Sequence, residues 1–252
     1  MIAVILAGGK GTRISEESLT RPKPLVEAAG HPLLWHIMQN FSLAGITEFV
    51  ILAGYKGNQI KEYFANYWMI NTDITFDLST PNRKIHESRG LPWKVTVLDT
   101  GLETMTGGRL AKAQSQINDT FFLTYGDGVS DIDIKKLLAF HRVNNVTATL
   151  TAVQPPARFG ALDINADFVK SFEEKPSGDG SWINGGFFVF EPNIFDFAMY
   201  DGTVLESEIL PQLALQNQLG AYKYEGFWQP VDTLRDLHRL EEYIRTKKLP
   251  WL

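Results

Sequence analysis

The fold open to this 252-residue chain is limited above all by six short apolar runs, rich in Val, Ile and Phe. In chain order they read IAVILA, EFVILAG, KVTVLDT, TFFLTYGD, ATLTAV and GGFFVFEP. Each has the length of a β-strand. Because the runs are continuous rather than alternating in polarity, we expect strands that are buried on both faces.

Segments with helical periodicity lie between several of these runs. In HPLLWHIMQNFSLAG, Leu34, Ile37 and Phe41 recur at helical spacing and Gly45 is placed to end the helix. GNQIKEYFANYW and DIDIKKLLAFHRVNN have similar patterns, and Asp131 is a candidate cap for the second. This alternation predicts an α/β fold with a doubly wound, mostly parallel (Rossmann-like) sheet flanked by helices.

The later chain has a different pattern. ALDINADFVKSFEEKP predicts a β-hairpin that turns near Asn165 to Asp167. The tail TLRDLHRLEEYIR predicts a helix that either packs on the body or lies between subunits. We therefore expect one domain over residues 1–252, with a part of about 1–150 and a smaller β-rich part of about 151–252.

Composition excludes several classes of protein. The chain has no cysteine, so a zinc–thiolate site, a cysteine nucleophile and a disulfide framework are all ruled out. The net charge of −5 argues against a general nucleic-acid binder. We also expect no signal peptide and no membrane span, since the start lacks a basic region and no apolar run approaches about 18 residues. The expected location is the cytoplasm.

A glycine-rich turn, LAGGKGTR, follows the first predicted strand. It does not match the Walker A pattern, and it lacks the last glycine of the dinucleotide-binding fingerprint. Its glycines nevertheless allow backbone N–H groups to approach an anion, and Arg13 adds a bidentate phosphate donor. About ten residues later, the prolines of Pro22-Lys23-Pro24 stiffen the backbone from which Lys23 projects. Alone, the turn is equally consistent with a surface loop.

The turn and PKP together resemble the signature of the sugar-1-phosphate nucleotidylyltransferase family. Further resemblance lies in DTGLETMTGGRL, TYGDGVSDID, SFEEKPSGDG, INGGFFVFEP and GFWQPVDTLRDL, so that it covers nearly the whole chain. It implies transfer of a cytidylyl group from CTP to glucose 1-phosphate, which yields CDP-glucose and pyrophosphate for bacterial surface polysaccharide. UTP or dTTP as the nucleotide, another hexose 1-phosphate, and a catalytically silent regulatory homologue remain alternatives.

The resemblance also implies roles for individual residues. Arg13 and Lys23 would be catalytic, with Arg13 on the pyrophosphate portion and Lys23 near the α-phosphate. The implied nucleotide contacts are Leu6, Ala7, Gly8, Gly9, Lys10, Gly11, Thr12, Arg13, Lys23, Thr104, Gly107, Arg109 and Gly126. On the sugar-phosphate side they are Gly160, Glu174, Lys175, Asn184 and Gly185. Trp228 fits a pocket wall and a core position equally well.

The implied metal ligands for Mg²⁺ are Asp127 and Asp232. Asp127 follows an apolar run, and ligands of open α/β sheets gather at the carboxyl ends of strands. Alone, Asp127 fits an Asp-Gly turn and Asp232 fits a helix N-cap. The five histidines have no metal-ligand spacing, and His36 and His141 lie on apolar helical patterns typical of core positions. Relatives form trimers or hexamers, so self-association is expected, and residues 69–94 read as a lid or an intersubunit arm.

Overall fold

The computed structural model describes residues 1–10, 21–86, 90–155, 161–165, 168–173, 182–247 and 249–252. The strands in these ranges are β1 (Ala3–Ala7), β2 (Glu27–Ala28), β3 (His31–Pro32), β4 (Glu48–Ala53), β5 (Ile74–Phe76), β6 (Arg83–Ile85), β7 (Lys94–Asp99), β8 (Phe121–Tyr125), β9 (Gly128–Ser130), β10 (Ala148–Val153), β11 (Ala161–Asn165), β12 (Phe168–Glu173), β13 (Ile183–Phe190), β14 (Leu219–Tyr224) and β15 (Trp228–Pro230). The α-helices are α1 (Leu33–Leu43), α2 (Gly57–Ala65), α3 (Tyr67–Asn71), α4 (Thr106–Lys112), α5 (Ile134–Asn144), α6 (Leu210–Leu215) and α7 (Leu234–Thr246).

A seven-stranded sheet with the order β14-β10-β13-β8-β1-β4-β7 organises the chain. Strands β8, β1, β4 and β7 pair in parallel, whereas β13 runs antiparallel to both β8 and β10. All six apolar runs of the sequence are strands of this sheet. The predicted mostly parallel α/β sheet is therefore confirmed.

Both faces of the sheet are covered. On β1, Ile5 packs with Phe49 and helix α1 in one core, while Val4 and Leu6 belong to a second core on the opposite face. Every residue of β1 is buried. This burial explains why the runs are continuously apolar, because successive side chains of a strand point to opposite faces.

The structure corrects one predicted helix cap. Asp133, not Asp131, caps α5: its carboxylate accepts a hydrogen bond from the Lys136 N–H at 3.0 Å. Asp131 lies too far before the first helical residue, and it accepts hydrogen bonds from the Phe227 N–H and the Tyr224 hydroxyl. The predicted end of α1 is confirmed, since α1 stops at Leu43 and Gly45 has a φ of 87°.

The later segments also form as predicted. Strands β11 and β12 pair as an antiparallel hairpin, although residues 166 and 167 of the expected turn lie outside the described ranges. Helix α7 buries Leu237 and Leu240 in the core that also contains Ile5, so the tail packs on the body. Strands β5 and β6 form a separate ribbon. No helix in the described ranges is both long and apolar enough to span a bilayer.

His36 connects helix α1 to the end of the chain and is fully buried, as the sequence predicted. Its Nε2 lies 2.9 Å from the Ala28 carbonyl oxygen, and its Nδ1 accepts a hydrogen bond from the Trp251 indole at 3.2 Å. The neutral ring satisfies both contacts, because Nε2–H donates while Nδ1 accepts. A second proton on Nδ1 would remove the contact with Trp251. Burial accordingly lowers the pKa of His36, and the nearby His31 lowers it further against the effect of the Ala28 hydrogen bond.

A lowered histidine pKa makes the fold sensitive to acid. The unfolded chain binds the proton more readily than the folded one, so stability is full above the unfolded pKa of about 6.5 and declines below it. We expect a lower free energy of unfolding at pH 5 than at pH 7.5 in urea titrations. His36→Gln should reduce that difference, and His238→Gln, at an exposed position, should leave it as in the wild type. Equal pH dependence in all three proteins would contradict the assignment.

Candidate functional site

The ends of the parallel strands and a short β-ribbon bring two distant carboxylates together. Asp127 lies between β8 and β9, immediately before the ribbon in which β9 pairs antiparallel with β15. The Val231 N–H donates to the Asp127 carbonyl at 2.9 Å, which places Asp232 beside Asp127. Asp232 is not the N-cap of α7, because Thr233 has that role in a capping box with Asp236.

Lys23 lies between the two carboxylates. Its ammonium is 2.6 Å from Asp127 Oδ2 and 2.7 Å from Asp232 Oδ1. Lys23 starts a 3₁₀ turn, Lys23–Leu25, whose geometry the flanking prolines favour. Gly126 permits the approach, since a Cβ there would lie 2.9 Å from Pro24 Cγ. The predicted catalytic lysine and the two predicted metal ligands thus converge on one point.

The two carboxylates stabilise the charged form of Lys23. Burial alone would lower the pKa of Lys23, but the charge and hydrogen bond of Asp127, followed by those of Asp232, outweigh it and raise the pKa above its ordinary value. The stabilisation that this shift provides is complete below the unfolded pKa of about 10.5 and is lost only as the pH rises through the folded pKa. Lys23 is therefore a cation throughout the neutral range.

The same cluster offers a donor set for a divalent cation. Magnesium in proteins is commonly held by one or two carboxylates, with water and substrate phosphate oxygens completing the octahedron. Asp127 and Asp232 are half-buried and supply such oxygens at the open edge of the sheet. Asp127 and Asp232 form a pair, and no group of three or more His, Asp or Glu residues in the described ranges is placed to hold a metal. The two residues therefore fit Mg²⁺.

Arg109 is buried behind the glycine turn and connects the ends of three parallel strands. Its guanidinium donates to the carbonyls of Gly8 at 3.1 Å, Ala53 at 3.2 Å and Gly101 at 2.8 Å. It also donates to the Thr100 hydroxyl at 2.5 Å. Burial lowers its pKa from the ordinary value, with a smaller opposing effect from Asp99. In this arrangement Arg109 holds the Gly8 carbonyl, and its predicted nucleotide contact stays a prediction.

This arginine also explains why Gly8 has no side chain. A Cβ at Gly8 would lie 2.1 Å from Arg109 Nη1. The Gly8 carbonyl already accepts hydrogen bonds from Arg109 and from the Tyr55 N–H at 3.2 Å. Gly8 is thus fixed in place as part of the strand end by two hydrogen bonds to its carbonyl.

Gly107 and Gly108 lie in the first half of α4. A Cβ at Gly107 would lie 2.8 Å from Thr203 Cγ2, and one at Gly108 would lie 2.6 Å from the Tyr200 carbonyl oxygen. Close packing between α4 and residues 200–203 therefore accounts for both glycines. The position of Gly107 does not require a nucleotide.

The other described residues of the predicted nucleotide site lie around the same edge. Lys10 forms an exposed ion pair with Glu103 at 2.7 Å. Thr104 is buried, and its hydroxyl accepts a hydrogen bond from Lys112 at 3.2 Å. Leu6 and Ala7 end β1, and Gly9 follows it. Gly11, Thr12 and Arg13 fall outside the described ranges.

The predicted sugar side is represented by Asn184 and Gly185 in β13. The Gly185 carbonyl accepts a hydrogen bond of 2.7 Å from the Trp228 indole, which itself packs against the core. Trp228 therefore joins β15 to β13. Gly160, Glu174 and Lys175 lie outside the described ranges.

The sequence motifs did not indicate a group of hydrogen-bonded side chains that lies beside Asn184. Tyr125, the last residue of β8, donates to Glu206 at 2.5 Å, and Asn184 donates to the Tyr125 hydroxyl at 3.4 Å. Glu206 belongs to a π-helical turn, Leu205–Ile209, of a type that often occurs at functional sites. No local motif signals this contact, because 81 residues separate the tyrosine from the glutamate.

The chain is similar to known proteins over nearly its whole length. The family model described as nucleotidyl transferase matches residues 2–247. The glucose-1-phosphate cytidylyltransferases of Salmonella typhimurium and Salmonella typhi are each 53% identical over 253 aligned positions, which span 100% of this chain and 98% of the relative. Among solved structures, HddC from Yersinia pseudotuberculosis has a TM-score of 0.69 and 24% identity, over 96% of this chain and 98% of that one.

Proposed function

This chain belongs to the nucleotidyl transferase family, and we propose that it transfers a cytidylyl group from CTP to α-D-glucose 1-phosphate, releasing pyrophosphate and forming CDP-glucose. One observation carries the proposal: identity of 53% to a glucose-1-phosphate cytidylyltransferase extends over the whole chain. The cluster of Lys23, Asp127 and Asp232 at the ends of the parallel strands suits this chemistry.

The reaction asks for charge stabilisation rather than proton transfer. A sugar-phosphate oxygen attacks the α-phosphorus of the nucleotide in line, the P–O bond to the β-phosphate breaks, and pyrophosphate leaves with the electron pair. The attacking oxygen is already anionic at neutral pH, so no general base is needed. The chain must hold two anions together and stabilise the charge that develops between them, as in other phosphoryl transfers.

Lys23 supplies the fixed cation of this scheme. Lys23 lies on a turn that the flanking prolines stiffen, and two carboxylates hold its ammonium close to the strand end where the triphosphate is expected. We assign it to the α-phosphate and assign Arg13 to the pyrophosphate portion. Such pre-placed donors stabilise the transition state without having to reorganise.

Asp127 and Asp232 are assigned to Mg²⁺. When bound, the ion would polarise phosphate oxygens and offset their charge. The two carboxylates are near each other before any ligand arrives, because the ribbon of β9 and β15 fixes their backbones. They therefore hold their position without a large conformational change.

Recognition of cytosine requires acceptors for its N4 amino group, and carbonyls of the glycine turn are the expected source. Gly8 is an unfavourable candidate, because its carbonyl already accepts two hydrogen bonds. We assign the base contact to Gly9 and the residues that follow it.

Pyrophosphate release from CTP, UTP and dTTP, each with glucose 1-phosphate, tests the proposal. We expect kcat/KM to be at least about tenfold higher with CTP, because a site built to pair with a hydrogen-bond donor rejects an acceptor at the same place. Detection of CDP-glucose by ³¹P NMR confirms the product. A preference for UTP or dTTP would favour the alternative nucleotidylyltransferases, and no pyrophosphate with any nucleotide would indicate a silent homologue.

We also expect self-association into a trimer or hexamer. The segment from α3 to β6 supports this, because several of its large apolar side chains are exposed to solvent. They are Trp68, Met69, Ile70, Phe76, Leu78 and Ile85.

A further inference from the structure

A chain of hydrogen bonds behind the sugar side holds the Asn184 carboxamide in one orientation. The first residue in this series is Tyr125, whose ring packs against Gly186 of β13. Gly186 has a φ of 79°, and a Cβ there would lie 2.5 Å from Tyr125 Cδ2. Glycine at this position therefore allows the tyrosine to extend from the end of β8 towards Glu206.

Glu206 determines which group donates and which accepts in each of these hydrogen bonds. A carboxylate only accepts hydrogen bonds, so the Tyr125 hydroxyl must donate to Glu206 Oε1. The second carboxylate oxygen accepts from the Thr106 hydroxyl at 2.6 Å, and the Thr106 oxygen accepts from the Leu205 N–H at 2.9 Å. Both oxygens of Glu206 are thus engaged. The Tyr125 oxygen is left to accept.

Hydrogen bonds to both the nitrogen and the oxygen of the Asn184 carboxamide fix its orientation. Its Nδ2 donates to the Tyr125 oxygen at 3.4 Å, and its Oδ1 accepts from the Gly186 N–H at 2.9 Å. The reversed amide would place two donors together at Gly186 and two acceptors together at Tyr125. The exposed side of the carboxamide therefore retains one N–H and one lone pair on fixed sides.

Packing alone does not explain these polar groups. Glu206 is half-buried, and taking a carboxylate from water costs free energy that a Met or Leu at the same place would avoid. Hydrogen bonds in which each donor and acceptor is fixed are suited to orienting a side chain that recognises a ligand, rather than to filling space.

We propose that Tyr125 and Glu206 are positioning residues that orient the Asn184 carboxamide towards hydroxyls of the hexose 1-phosphate and thereby determine which hexose is accepted. The inference rests on the proposed function, because it takes Asn184 as a sugar contact. One donor and one acceptor from a single amide match a pair of hydroxyls on neighbouring sugar carbons. An epimer displaces one hydroxyl of such a pair and would lose one of the two bonds.

The test uses Tyr125→Phe, Glu206→Gln and Asn184→Ala, with Tyr200→Phe and Glu208→Gln as matched controls. Tyr200 is exposed, and Glu208 lies in the same turn as Glu206, where its carboxylate accepts from the Val204 N–H. For Tyr125→Phe and Glu206→Gln we expect KM for glucose 1-phosphate to rise about three- to tenfold, the effect of losing one hydrogen bond. KM for CTP, kcat and Tm should stay near the wild-type values, and preference for glucose 1-phosphate over galactose and mannose 1-phosphates should fall.

A double variant separates positioning from direct contact. If Tyr125 acts through Asn184, Tyr125→Phe has no further effect on the sugar KM once Asn184 is alanine. Additive effects, no effect of Asn184→Ala, or changes no larger than those of the controls would overturn the inference. Calorimetric Kd values for the three hexose 1-phosphates repeat the comparison without turnover. A wild-type protein inactive with CTP would refute the proposed function, while these Kd ratios would still decide the role of Tyr125 and Glu206.

Discussion

Asp127→Asn should reduce kcat for CDP-glucose formation by roughly 10³-fold or more, because it removes one of two carboxylates assigned to the ion and changes the charge beside the α-phosphate. The substitution preserves the size of the side chain. Asparagine can still accept the 2.6 Å hydrogen bond from Lys23, and the backbone contact with Val231 is unaffected. The fold should therefore persist, with a far-ultraviolet circular dichroism spectrum like that of the wild type.

Metal dependence gives the matching measurement. EDTA should stop the wild-type reaction and excess Mg²⁺ should restore it, whereas Asp127→Asn should need far more Mg²⁺ for its residual rate. Asp119→Asn is a suitable control, since Asp119 is exposed and its side chain contacts only the N–H of Thr120 in the described part of the chain. Undiminished Mg²⁺-dependent turnover by Asp127→Asn would refute the metal assignment.

Lys23→Met should lower kcat by about 10²–10³, the usual effect of removing a pre-placed donor from a developing charge. KM for CTP should change much less, because other groups also bind the nucleotide. An unchanged kcat would contradict the charge-stabilising role. Lys135→Met, at an exposed position of α5, controls for loss of a lysine and should behave as the wild type.

The same variant has a signature that is independent of activity. Without the ammonium, the carboxylates of Asp127 and Asp232 lose the positive charge of Lys23 that lies between them. The Tm of Lys23→Met should therefore lie below that of the wild type at pH 7.5, and the difference should narrow when Mg²⁺ is added. A difference that Mg²⁺ does not change would show that the lysine does not neutralise the pair.

Local patterns predicted the secondary structure well. The apolar run TFFLTY gives β8, and the periodic positions of TLRDLHRLEEYIR give α7 with Leu237 and Leu240 inward. The errors are local as well. Asp131 and Asp133 are equally good caps by composition, and only the start of α5 at Ile134 distinguishes them.

The sequence motifs identified residues of the candidate site but not the contacts between them. Lys23 and Asp127 were singled out by motif, yet nothing in the motifs says that one ammonium joins both acids. Arg109 shows the reverse case. Its motif suggested a ligand contact, but the folded chain directs its donors to the carbonyls of Gly8, Ala53 and Gly101.

The sequence by itself determined the layers of this protein, because a strand covered on both faces needs an unbroken apolar run and a helix on a sheet needs an apolar face. Only the tertiary structure decided which polar groups meet. The contacts of Lys23 with Asp127 and Asp232 span 104 and 209 residues, and that of Tyr125 with Glu206 spans 81. Their geometry depends on strand order, on the ribbon of β9 and β15 and on the register of β8 against β13. Those features arise when the whole sheet assembles, and no short segment encodes them.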